Sequence, residues 1–170
     1  MRGGIWVLTI MAAIWGVAAV RVGQAPAWLV IGPVAISVAL LFWARRQPIG
    51  TGNPVEGDHV GHVVGIATAI EGVAIFLAAN VLINLHQPTL VMPAIAIIVG
   101  LHFIPLARWI PVPLYYRTGG GLIVAGLLAI LLPAKDRAMA GIAAALILWI
   151  SCILLVRYGR GEAPRASNPA

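Results

Sequence analysis

The stretch VGHVVGIATAIEGVAIFLAANVLINL, residues 60–85, contains a single charged side chain, Glu71, in the middle of an apolar run. A helix needs about 20 mostly apolar residues to cross about 30 Å of hydrocarbon. This segment is long enough and, apart from its one acid, apolar enough to do so. The chain around it has the same character. Of 170 residues, 61% are hydrophobic and 9% charged, with a mean hydropathy of +1.00, whereas soluble domains carry roughly 25% charged residues. A soluble domain is excluded. The net charge of +6 then points to cytoplasmic loops beside anionic lipid, not to nucleic acid.

Five further apolar runs, each bounded by Pro, Gly or charge, accompany residues 60–85: 4–20, 27–44, 90–107, 114–132 and 138–156. The expected fold is all-α, a polytopic membrane protein of six transmembrane helices. Residues 1–158 form one bundle, and residues 159–170, rich in Gly, Pro and Ala, form a disordered cytoplasmic tail. A second reading makes the first run the apolar region of a signal peptide, with small residues at Ala25-Pro26-Ala27. Arg21, lying between that run and the supposed cleavage site, counts against it. With six spans, Arg2, Arg45, Arg46, Arg108, Arg117, Arg157, Arg160 and Arg165 share one side, while Arg21, Lys135 and Arg137 lie on the other. The positive-inside rule places both termini in the cytoplasm. Trp6, Trp28, Trp43 and Trp109 fall near helix ends, where amphipathic rings settle, and Trp15 and Trp149 are expected to be packing residues. The lone cysteine, Cys152, cannot form an intramolecular disulfide.

Asn53-Pro54-Val55-Glu56 has the form of a capping box opening the third helix. From Pro54 to Leu85 that helix would extend about 48 Å, longer than the membrane, so it should protrude or tilt. Insertion scales charge about 2.5–3.5 kcal/mol for an acid at a span centre, so Glu71 should face the bundle or a wet cavity. At 100° per residue, Ala67, Thr68, Ala74 and Ala78 surround it, with Gly61, Gly65 and Gly72 alongside, a face suited to close helix approach. Asn80 and Asn84 lie on the opposite face at the outer end and read as polar packing residues.

His102 lies about 9 Å from the cytoplasmic end of the fourth helix and Glu71 about 12–16 Å deep on the third, so the two are expected to be partners. Thr9, Ser37 and Ser151 fall at similar levels. Together with Thr68 they define a candidate cavity open to the cytoplasm, with a proton or ligand site at Glu71 and His102. The competing reading satisfies each hydroxyl on its own helix and makes His102 a structural donor. Pro93, Gly100 and Pro105 permit kinks in the fourth helix. Glu56, Asp58, His59 and His62 have ligand-like spacing for a divalent metal, although capping and helix-dipole effects account for the acids. Arg108, Tyr115, Tyr116 and Arg117, on a link stiffened by Pro111 and Pro113, suit a lipid-headgroup belt. Gly119-Gly120-Gly121 lacks the Lys and Ser/Thr of a phosphate loop. Nucleophile triads and the H-E-x-x-H zinc motif are absent from the sequence, so enzymatic activity and cofactors are not expected.

The run from Glu71 to Gly119, through EGVAIFLAANVLINL, PAIAIIVGLHFIPLARW and PVPLYYRTG, resembles a group of small bacterial integral membrane proteins of unassigned function. The resemblance covers under a third of the chain and includes Glu71, Asn80, Asn84, His102 and Tyr115. It implies a location in the bacterial cytoplasmic membrane and no reaction. Two functions stand as expectations. One is a small transporter-like or ligand-binding protein with a proton or cation site at Glu71. The other is a structural or accessory subunit in which Glu71 and the glycine face fix helix packing or an oligomer. The expected partners are the bilayer and a second copy or another membrane subunit, not nucleic acid.

Overall fold

A computed structural model describes residues 2–47, 57–110 and 112–161. Six α-helices account for most of them: α1 (Arg2–Val22), α2 (Ile31–Arg45), α3 (Gly57–Asn84), α4 (Val91–Trp109), α5 (Leu114–Ile130) and α6 (Met139–Gly161). Each expected span corresponds to one helix. Counted together with the short 3₁₀ turns that lead into α2, α4 and α6, five are long and apolar enough to cross a membrane, and α5, at 17 residues, is shorter. The capping box at residues 53–56 and the expected tail beyond residue 161 lie outside the described residues. The fourth helix runs unbroken to Trp109 despite Pro105. Pro93 falls in its first turn, where a missing N–H costs no intrahelical bond.

The connections at one end of the bundle follow from local chemistry. After α1, Gln24 takes a left-handed φ of 52°, with Ala25 N–H donating to Val20 O and Gln24 N–H to Arg21 O. After α3, His86 repeats this at φ 58°, with Gln87 N–H donating to Leu82 O and His86 N–H to Ile83 O. Both are Schellman stops, which satisfy the orphan carbonyls of a helix end. Each has a proline two residues beyond the left-handed position, Pro26 and Pro88, and there a short 3₁₀ turn starts the return helix.

The helices pack in the order α2, α1, α6, α5, α4, α3, with α6 also touching α2 and α4. The chief contacts of α3 are with α4 and the turn leading into it, so α3 sits on the outside of the assembly. Interface positions are filled by small residues. Ala12, Ala96, Ala140, Ala144 and Ala145 are buried, while Ile14, Ile31, Val73, Phe76 and Leu131 face outward. The closest approach joins α4 and α5. A Cβ on Gly100 would lie 2.7 Å from Gly119 O, and one on Gly119 would lie 2.6 Å from Gly100 O. Only glycine permits the two backbones to meet there. The close approach expected on α3 is not found, because nothing lies within 4 Å of a Cβ built at Gly61, Gly65 or Gly72.

Charges divide between the two ends. The Arg45 guanidinium lies 4.6 Å from the Trp6 ring centre, and Gly4 meets the Tyr115 hydroxyl and Leu155. These contacts bring the starts of α1 and α5 to the ends of α2 and α6, and the Phe103–Tyr115 ring contact brings the last turns of α4 to the same end. Arg45, Arg46, Arg108, Arg117 and Arg157 therefore share one end, all exposed. At the other end, Arg137 ties the α5–α6 turn to the α3–α4 turn by donating to Leu132 O at 3.3 Å and to Thr89 Oγ1 at 3.0 Å.

Candidate functional site at the α3–α4 seam

On α3, Val64, Ala67, Glu71, Ala74, Ala78 and Leu82 are partly buried at intervals of three or four residues, marking the stripe that meets α4. Alanines on either side of Glu71 let α4 come close enough for His102 to reach across. His102 Nδ1 lies 3.2 Å from Ala67 O and 3.5 Å from Glu71 Oε2. A backbone carbonyl can only accept, so this contact requires the proton on Nδ1, which then points between the carbonyl and the carboxyl group. The imidazole is fixed from behind by Phe103, edge-on at 6.1 Å, and Phe103 in turn packs on Tyr115 at 5.7 Å. The two side chains remain slightly open, His102 at 10% and Glu71 at 17% exposure.

The other members of the expected cavity do not converge on this pair. Thr68 is exposed, outside the seam. Thr9 donates to Ile5 O at 2.7 Å, so its oxygen accepts from Cys152 Sγ–H at 3.2 Å. Thr118 likewise donates to Leu114 O at 3.0 Å and accepts from Ser151 at 2.7 Å. Ser37 accepts from Trp149 Nε1–H at 3.0 Å. Three neighbouring residues of α6, Trp149, Ser151 and Cys152, thus each donate to a different helix: α2, α5 and α1. Every one of these groups spends its hydrogen bond across one seam, which joins helices in pairs and leaves no shared lining.

Thr118 and Cys152 were not anticipated as partners, and Trp149 was expected only to pack. An indole far from a helix end, two and three residues before a hydroxyl and a thiol, was the available signal, because a buried Trp N–H seeks an acceptor. Of the outer polar residues, Asn80 donates to Phe76 O of its own helix at 2.7 Å, and Asn84 is exposed. Neither packs between helices. Tyr115 departs from the headgroup expectation: it is 8% exposed and points into the bundle, because α5 turns Tyr115, Thr118, Gly119 and Leu122 to one inner face. Arg108, Tyr116 and Arg117 stay outside. Of the metal candidates, Glu56 lies outside the described residues, the side chains of Asp58 and His59 are likewise not described, and His62 is exposed. Among the described residues no group of three or more His, Cys, Asp or Glu side chains is placed to hold a metal ion.

No family profile, curated protein or solved structure matches this chain.

Proposed function

We propose that this protein is an integral membrane protein of accessory or assembly type, in which the Glu71–His102 pair is the polar clasp holding α3 against α4. Small residues and paired hydroxyls inside, with large aliphatic side chains outside, are what a bundle in lipid requires, since lipid supplies no hydrophobic drive between helices. The observation that carries the reading is the consumption of Thr9, Ser37, Thr118 and Ser151 in bonds between helix pairs. A conducting path needs polar groups that face one another around a common space. The arginine-rich end is assigned to the cytoplasm by the positive-inside rule, with both termini there and the chain in a bacterial cytoplasmic membrane.

A second reading, a proton or cation site, draws on one feature: Glu71 and His102 are partly exposed at the seam, and a carboxyl–imidazole pair can exchange a proton. Proton flux into proteoliposomes separates the two. As an accessory protein, wild type and Glu71→Gln give the flux of empty vesicles. A wild-type flux that Glu71→Gln abolishes, with folding unchanged, establishes the second reading instead.

A further inference from the structure

We infer that α3 carries the contact between two copies of this chain, a parallel two-fold dimer that meets through the face opposite α4 and pairs the Asn80 amide with the partner's Asn80. Ile66, Ala69, Val73, Phe76 and Asn80 follow one another at alternating intervals of three and four residues, and all five are exposed. At 100° per residue the other four fall within about 40° of Asn80, while Glu71 and Ala78, on the stripe that meets α4, lie about 160–180° from it. Alternating threes and fours are the seam of two helices that cross at about 20°. Within one chain that seam is open: the chief contacts of α3 are with α4 and the turn leading into it, and no residue from 64 to 84 is fully buried.

Asn80 identifies the occupant. Its Nδ2 donates to Phe76 O at 2.7 Å, which leaves one N–H and the amide oxygen unspent. Among the described residues neither has a partner. Phe76 O lies about one turn farther than Asn80 from the end of α3 at Asn84, so the amide is turned back into the bilayer and not out toward the α3–α4 turn. Hydrocarbon offers it no hydrogen bond. A second copy inserted in the same orientation brings the same donor and the same acceptor to the same depth, and a two-fold axis beside Asn80 serves both amides at once. One asparagine in an otherwise apolar seam also fixes register and the number of helices that meet. With the Glu71–His102 contact on its other side, α3 then joins one bundle to the next.

The inference rests on the accessory, membrane-spanning reading and names its partner as a second copy. Sedimentation equilibrium in density-matched detergent micelles should give wild type a protein mass twice that of the 17.8 kDa chain. Asn80→Leu should raise the dissociation constant about 3- to 20-fold, the worth of one polar contact between helices in a membrane, and Asn80→Gln should recover part of the loss. Thr68→Val, which removes an exposed hydroxyl about 120° around α3 from Asn80, should leave the constant unchanged. In proteoliposomes, with Cys152 replaced by Ser, Phe76→Cys should cross-link copies on oxidation and Val81→Cys, turned about 100° from Asn80, should not. Because Val73 lies in the seam, a spin label at position 73 is read in protein diluted with unlabelled copies, which leaves only distances within one chain. A dimer that Asn80→Leu does not weaken, equal weakening by Thr68→Val, or cross-linking at 81 in place of 76 overturns the seam. Monomers at every concentration overturn the dimer while leaving untouched the coupling of Glu71 to His102, on which the accessory reading depends.

Discussion

Removing Glu71 and His102 singly and together, as Glu71→Ala, His102→Ala and the double variant, measures the energy of the clasp directly. The Nδ1 to Oε2 separation of 3.5 Å exceeds the 2.7–3.2 Å of a good N–H···O bond. The same N–H is shared with Ala67 O at 3.2 Å. Polar contacts between helices in a membrane average about 0.6 kcal/mol and reach about 1.7. A full ion pair at this separation, with an effective dielectric near 20, would amount to about 5 kcal/mol. A shared, slightly long contact belongs to the first class, so the coupling energy should be about 0.5–1.5 kcal/mol. Reversible unfolding in mixed micelles, followed by far-ultraviolet circular dichroism, gives the four stabilities needed. A coupling of zero would mean that the pair does not clasp α3. A value of about 4 kcal/mol or more would mean that it holds separated charge, which favours the proton-site reading.

Gly100→Ala and Gly119→Ala should each destabilise the fold by about 2 kcal/mol or more through overpacking, because the added carbon meets a carbonyl at 2.6–2.7 Å. Gly72→Ala, with nothing within 4 Å, should be neutral or stabilise by up to about 1 kcal/mol from helix propensity. The same unfolding assay ranks all three. Gln24→Gly and His86→Gly relieve left-handed backbone and should each stabilise by about 1 kcal/mol; a loss of stability would show that the side chains matter more than the conformation. Trp149→Phe keeps the ring but withdraws the N–H from Ser37, and should cost about 0.6–1.7 kcal/mol, an effect largely absent when Ser37 is already Ala.

The six helices were legible because uninterrupted apolar runs leave a membrane-length chain few alternatives, and Pro26, Pro88 and Pro133 fall where each hairpin turns. The Glu71–His102 partnership was legible from depth: both residues count back from one end of adjacent antiparallel helices. Depth fixes a level and says nothing of direction around the axis, which is why the wider belt dissolved. Thr68 lies 100° from Ala67 and misses the seam, while Thr9, Ser37 and Ser151 face other helices. Tyr115 looked like an interfacial aromatic by position, yet the phase of α5 turns it inward. The glycines of α3 advertised close packing that α4 and α5 supply instead, through Gly100 and Gly119. Recognising that contact requires two helices in register, which neither segment encodes alone.

The distance between α3 and α4 tests the clasp most directly. Spin labels at the exposed positions 73 and 104, with Cys152 replaced by Ser, report it by double electron–electron resonance in proteoliposomes. The intact pair should give one narrow distance, and the Glu71→Ala, His102→Ala variant a broader and longer distribution as α3 loosens. An unchanged narrow distribution in the double variant would show that α3 is held by packing alone and contradict the proposed role of the pair.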